Sequence, residues 1–324
     1  MKRIIFIGLI FIIGILTGIL SNNFYKDFKK NTCLKQYKFI DRELICSRSL
    51  IIVKKHSYIK LKNKLIDFIY DERKKSNITH VSLYFRDLVN GPILGINEQE
   101  EFSPASLLKL PLLITYLRLA EEDKNLLKKK ILYTNKIEIS QNFEPSRIID
   151  QTTRHEIGEL LNALIIYSDN VAYYWLVAYL RQAFPKRNPL LETNQELGIL
   201  EPKNTLEDTI TVRSYGSIFR SLYYGTYLSE VPSEQALGLL AKSEFDKGIA
   251  AGVPKELAVA NKFGERATLN SKIKQLHDCG IIYYPNNPYL LCIMTKGEDF
   301  EKLAKIITDL SRMVYEEFNS RKIN

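Results

Sequence analysis

The sequence predicts a mixed α/β chain of the α+β kind: an antiparallel sheet drawn from both ends of the chain, flanked by helices and joined to a helical lobe. Three observations carry this. Strand-like runs stand only near the two ends of the folded part. The stretch between them, about residues 107–230, places apolar residues at helical spacing. Turn residues separate strand pairs, Asn90-Gly91-Pro92 near the front and Pro285-Asn286-Asn287-Pro288 near the end.

The front of the chain is apolar. Residues 4–20 are seventeen residues without a charge, about 26 Å of helix at 1.5 Å per residue. Lys2 and Arg3 precede them; Lys26, Lys29 and Lys30 follow. The exit holds no small-residue cleavage site, and no cysteine stands directly after it. Residues 1–21 are therefore expected to be an uncleaved membrane anchor, the alternative being a cleaved secretory signal. Either sends the remainder out of the cytoplasm. Residues 22–56 read as a stalk, and its Cys33 and Cys46 are candidates for a disulfide or for two unpaired thiols.

Residues 57–324 read as the folded domain. A helix is expected over 58–75, with apolar Ile59, Leu61, Leu65, Ile66, Phe68 and Ile69. Residues 81–88 form a strand and 93–96 return. After Pro104 an apolar helix runs to about Leu119. Helices over 157–166 and 171–180 flank a polar triplet. Residues 257–262, 279–284 and 289–295 read as strands, and 300–318 close the chain as an amphipathic helix.

Composition removes several classes of function. With 45% hydrophobic and 26% charged residues the chain buries a core, which excludes general disorder. The net charge of +9 is spread in short clusters and reads as solvated faces. There is no zinc-finger spacing and no RNP-type motif, so a nucleic-acid partner is not expected. The four cysteines and four histidines lack metal-ligand spacing, and neither a metal nor an organic cofactor is implied.

Three short segments carry chemistry. Ser106 and Lys109 stand three apart at the head of the apolar helix and share a face. Leu107, Leu108, Leu110, Pro111 and Leu112 around Lys109 would desolvate its ammonium and lower its pKa, making it a base for the Ser106 proton. Ser168-Asp169-Asn170 sits between two apolar helices, where one residue is expected to cap the second. Ser168 Oγ is placed near Lys109 as a proton relay. The third segment, Asn261-Lys262-Phe263-Gly264-Glu265, is expected at a strand end. Gly264 would let a ligand or backbone approach, and Lys262 would hold an anionic group.

In this order and context, Ser-x-x-Lys, Ser-Asp-Asn and Lys-Phe-Gly resemble the motif set of class A β-lactamases within the penicillin-binding serine hydrolases. The resemblance covers about residues 57–320. It includes FSPASLLKLPLL at 102–113, YSDNVA at 167–172, DTIT at 208–211, GIAAGVP at 248–254 and HDCGIIY at 277–283. It implies Ser106 as the acylated nucleophile and Lys109 as proton acceptor or relay. It implies Ser168 as proton donor to the leaving group, Asn170 on the substrate amide and Lys262 on the substrate carboxylate. The backbone N–H groups of Ser106 and Glu265 would form the oxyanion hole.

Two departures stand out. Phe263 replaces the usual Thr or Ser, removing a hydroxyl and adding a ring. The deacylating glutamate of Glu-x-x-x-Asn is represented only by Glu201-Pro202-Lys203-Asn204, one residue shorter. The expected function is a β-lactamase-like serine hydrolase that opens β-lactam amides through Ser106, with slow release. Alternatives are a cell-wall D,D-peptidase or other amide or ester hydrolase, and a non-catalytic wall-binding module of this fold.

Overall fold

The computed structural model describes Thr17 and residues 37–41, 58–89, 91–133, 136–138, 141–199, 208–267 and 272–322. The expected anchor apart from Thr17, the Cys33 and Cys46 pair, and Glu201 through Asn204 lie outside the described residues. Among the described residues no helix is long and apolar enough to cross a membrane.

Helix α1 (Ile59–Lys75) buries Leu61, Leu65 and Ile69 along one stripe and ends on Arg73, Lys74 and Lys75, cations that suit a helix C-terminus. Strands β1 (Ile78–Asp87) and β2 (Ile93–Ile96) follow as a hairpin. A 3₁₀ turn (Ala105–Leu108) leads into α2 (Lys109–Glu122). Short strands β3 (Lys130–Ile131) and β4 (His155–Glu156) pair apart from the main sheet. Then come α3 (Ile157–Ile166), α4 (Asn170–Ala183), α5 (Pro189–Glu196), α6 (Val212–Tyr223) and α7 (Glu230–Leu240). The chain closes with β5 (Val259–Ala267), β6 (Lys274–Ile282), β7 (Tyr289–Gly297) and α8 (Phe300–Lys322).

The five-stranded sheet has the order β2-β1-β7-β6-β5 and is antiparallel throughout. As expected from the sequence, both chain ends build it, because β1 pairs along its length with β7. One face packs on α1 and α8, with Leu83, Phe85, Leu291 and Ile293 of the sheet against Leu303, Ile307 and Leu310 of α8. The other packs on α6 and α7 of the helical lobe, with Tyr84 and Leu290 against Gly216 of α6, and joins Ile281 and Met294 to the lobe's core. Gly252 shows how tightly the first layer is closed: a Cβ there would lie 2.5 Å from Ser311 Cβ and 2.6 Å from the Thr308 carbonyl oxygen on α8.

The strand boundaries correct the sequence reading in one respect that matters. The sequence pattern ends a strand near Lys262, but β5 continues through Phe263, Gly264 and Glu265 to Ala267. Pairing with β6, from Val259↔Ile282 to Ala267↔Lys274, holds these charged and glycine positions extended against their local preference. β5 is also an edge of the sheet, so one of its sides has no strand partner among the described residues.

Cys279 and Cys292 lie opposite each other on β6 and β7 and are joined as a buried disulfide. Alkylation in denaturant without reductant should leave both unlabelled. Closing a loop of 13 residues constrains the unfolded chain, so a Cys279→Ala/Cys292→Ala variant should lose up to about 3 kcal/mol in a denaturant titration.

Candidate active site

The nucleophile segment is fixed from several sides before any catalytic group is considered. Phe102 bridges to Ile210. His277 Nε2 donates to the Ser103 carbonyl at 3.0 Å, while Nδ1 accepts from the Thr295 N–H at 3.4 Å, which defines a neutral ring. Burial pushes its pKa down to about 3, so it stays neutral and structural. Arg266 Nη1 donates to Ser103 Oγ, and Tyr215 Oη donates to the Leu107 carbonyl at 2.9 Å. Ala105, just before Ser106, takes a positive φ of 48°, a conformation that costs an L residue about 1 kcal/mol or more and must be held by its surroundings.

Strand β5 then comes up against this turn. A Cβ at Gly264 would stand 2.9 Å from the Pro104 carbonyl oxygen and 3.1 Å from Leu107 N. Only glycine allows that approach. It brings the unpartnered side of β5 beside Ser106, where the Ser106 and Glu265 N–H groups are expected to act.

The second motif is a turn between two helices. α3 ends at Ile166, and Asp169 caps α4 by accepting from Ala172 N at 3.1 Å. The other oxygen of Asp169 accepts from Ile149 N at 2.7 Å. Between them Ser168 has a φ of 53°, the second non-glycine residue of the site in the left-handed region.

The three motifs meet at Ser168. Lys109 Nζ donates to the Ser168 carbonyl at 2.5 Å, to Asn170 Oδ1 at 2.6 Å and to Ser168 Oγ at 3.1 Å. Lys262 Nζ reaches the same Ser168 Oγ at 2.9 Å and the Phe263 carbonyl at 2.9 Å. Both amines are buried, Lys109 at 2% exposure and Lys262 at 0%. Desolvation lowers the Lys109 pKa to about 7, partly opposed by Asp169 and Glu265. Desolvation and then the Lys109 charge push Lys262 well below its ordinary value, partly opposed by Asp278 and Glu265. Asp278 is itself buried, its pKa raised to about 7, and accepts from Asn261 Nδ2 at 3.0 Å and Ile249 N at 2.8 Å.

The sequence places Ser168 Oγ near Lys109, and the two are in contact. The sequence also turns Lys109 toward Ser106. The donor hydrogens of Lys109 are instead directed to Ser168 and Asn170, with the half-buried Ser106 one turn earlier. Lys262, expected to point into an open cleft, has its ammonium enclosed, with the Phe263 ring centroid 4.3 Å away. Two contributors are missing from the motif reading. The Glu265 side chain, not only its backbone, belongs to the site: Oε1 accepts from Asn142 N at 3.0 Å and Phe143 N at 3.2 Å, and Oε2 is buried without a hydrogen-bond partner among the described residues. Phe263 stacks on Phe245 with centroids 4.0 Å apart and planes 13° apart, and Phe143 stands edge-on to both. Nothing local in the sequence signals that three separated phenylalanines meet.

Gly264→Ala tests the close approach. The added methyl should push the nucleophile turn off β5, lowering the rate of Ser106 labelling by an active-site acylating probe at least about tenfold. The fold should persist with a loss of about 1–3 kcal/mol, read from thermal melting beside the labelling rate.

Comparison with known proteins agrees with this fold. A family model described as the beta-lactamase enzyme family matches residues 60–318. Among solved structures, PBP-A is 20% identical over 81% of this chain and 97% of its own, with a TM-score of 0.64. A class A β-lactamase from Mycobacterium abscessus is 20% identical over 79% of this chain and 99% of its own, with a TM-score of 0.65. A β-lactamase from Xanthomonas campestris pv. campestris is 19% identical over 79% of this chain and 98% of its own, with a TM-score of 0.66. At these identities the structural matches establish the shared fold. No curated protein sequence matches the chain. With a family match that spans most of the folded part, and Lys109, Ser168 and Lys262 in hydrogen-bond contact, the chain belongs to the β-lactamase enzyme family.

Proposed function

We propose that this chain is an extracytoplasmic, membrane-anchored serine hydrolase that opens β-lactam amides through an acyl-enzyme on Ser106 and releases the product slowly. The observation that carries the chemistry is a buried lysine amine in contact with the Ser168 hydroxyl, one turn after a half-buried serine; its burial lowers the pKa to about 7.

Ser106 Oγ attacks the lactam carbonyl carbon and its proton passes to the neutral amine of Lys109. Ser168 Oγ, 3.1 Å from that amine, delivers its proton to the departing nitrogen as the carbon–nitrogen bond breaks and takes the former Ser106 proton from Lys109, which returns to the neutral amine. Ser106 is left as an ester. Lys262, 2.9 Å from the same oxygen, holds the hydroxyl in place. Asn170, whose Oδ1 is turned to Lys109, leaves its amide nitrogen for the substrate. Backbone N–H groups of Ser106 and Glu265 receive the oxyanion, each worth roughly 3 kcal/mol by precedent at such sites. Water then cleaves the ester, with Glu201 as the candidate base. The penicillin-G acyl-enzyme of a PBP-A mutant, a protein of the same fold, supports acylation as the first step.

The export reading rests on the uncharged segment 4–20 and on the buried Cys279–Cys292 bridge, a bond favoured in oxidising compartments. In membrane fractions the chain should retain Met1 and sediment with lipid. A soluble product beginning after Leu20 would replace the anchor with a cleaved signal.

Acylation is tested with a fluorescent penicillin and intact mass. Ser106→Ala should abolish labelling, and Lys109→Ala should reduce it at least about a hundredfold without unfolding the domain. Labelling of folded Ser106→Ala would end the assignment. Lys109 accepts a proton only when neutral, so the acylation rate should rise with pH to an inflection at about 7 and fall about tenfold per pH unit below it. A rate independent of pH across this range would remove Lys109 as the base.

A further inference from the structure

Position 263 changes more than one hydrogen bond. The Lys262 ammonium donates to Ser168 Oγ and to the Phe263 carbonyl, and its remaining side is covered by the Phe263 ring at 4.3 Å. A carboxylate oxygen in hydrogen-bond contact with Nζ would need the space that this ring fills. The ring is held there by stacking on Phe245 and by the edges of Phe143. It is 6% exposed, so swinging it aside would strip a packed aromatic cluster.

A carboxylate already stands beside the two lysines within the protein. Glu265 acts on both Lys109 and Lys262, and its Oε2 is buried without a hydrogen-bond partner among the described residues. A second anion brought by a substrate would meet this carboxylate as well as the ring.

Beside Phe263 lies a cleft of about 320 Å³ whose lining includes Phe143, Phe245 and Phe263 together with Glu144, Glu244 and Asp246. Lys247, at its rim, is engaged with Glu301 at 3.1 Å. The lining thus offers an aromatic wall and an excess of negative charge.

We propose that the acyl donor selected by this site carries no carboxylate next to the scissile bond: it is a neutral or cationic amide or ester whose apolar group packs on the Phe143–Phe245–Phe263 wall. This deepens the acyl-transfer reading and rests on it. Aromatic stacking and exclusion of water replace an ionic anchor, and Lys262 is left to serve Ser168 rather than substrate.

The test compares benzylpenicillin with its methyl ester, which share the reacting ring and differ in the carboxylate. Second-order acylation rates of Ser106 are read by intact mass on the full chain in detergent, beside a neutral phosphonate ester that reports nucleophile competence. The ester should acylate at least about tenfold faster than the acid. Phe263→Thr should raise the rate for the acid at least about tenfold, without a matching gain for the ester, because the ammonium becomes accessible. If that variant does not fold, Phe263→Leu keeps an apolar cover and should retain the preference for the ester. An acid that outpaces the ester in the unaltered protein, with the phosphonate labelling Ser106, overturns this inference and leaves the acyl-transfer reading standing. A folded protein that no probe labels at Ser106 ends both.

Discussion

Two buried amines share one hydroxyl oxygen, and most of the site follows from that constraint. Lys109 and Lys262 approach Ser168 Oγ to 3.1 and 2.9 Å with almost no exposure to solvent. Two ammonium charges at such a point repel each other in a medium that screens poorly, so protonation of one disfavours protonation of the other. Desolvation in the same enclosure is what makes Lys109 usable as a base near neutrality. The shared contact also demands a rigid frame, because the amines would separate if any of their three supporting elements shifted. The left-handed backbone at Ser168, the Asp169 cap and the Gly264 approach are the local means of keeping them together.

The frame comes from the way the chain ends close on each other. β1 enters early and pairs with β7, the last strand, which ties the start of the folded part to its end. β6 and β5 extend the sheet outward until β5 lies at the edge beside the nucleophile turn. The helical lobe supplies Ser106, Lys109 and Ser168 from one side, and the sheet supplies Lys262 from the other. Cores on both sheet faces hold this seam closed. Asp278 and Asn261, hydrogen-bonded to each other across β6 and β5, keep the strand segment before Lys262 from tilting.

Chemistry and recognition are separated across neighbouring residues of β5. Lys262 turns toward Ser168, Phe263 joins an aromatic wall, Gly264 admits the nucleophile turn, and Glu265 binds the loop that carries Phe143. One extended segment thereby sets proton transfer, the cover over the ammonium and the position of the cleft wall. The Glu265 link means that Phe143 is placed by the same strand that places Phe263.

Much of this protein is legible in one dimension. The order Ser-x-x-Lys, Ser-Asp-Asn, Lys-Phe-Gly, the helix over 157–166 and the two-ended sheet are local or periodic signals, and periodicity reports which face of an element is buried. The apolar neighbours of Lys109 foretell its depressed pKa, because desolvation begins with adjacent side chains. Tertiary structure decided what depends on distant partners. The extension of β5 beyond Lys262 comes from pairing with β6, since Asn261 to Ala267 has no strand pattern of its own. The pairing of Cys279 with Cys292 follows from strand register, which spacing alone leaves open. The enclosure of Lys262 required Phe143, Phe245 and Phe263 to converge from separate segments. A motif names the groups that can react; only packing determines which of their faces remain open to a substrate.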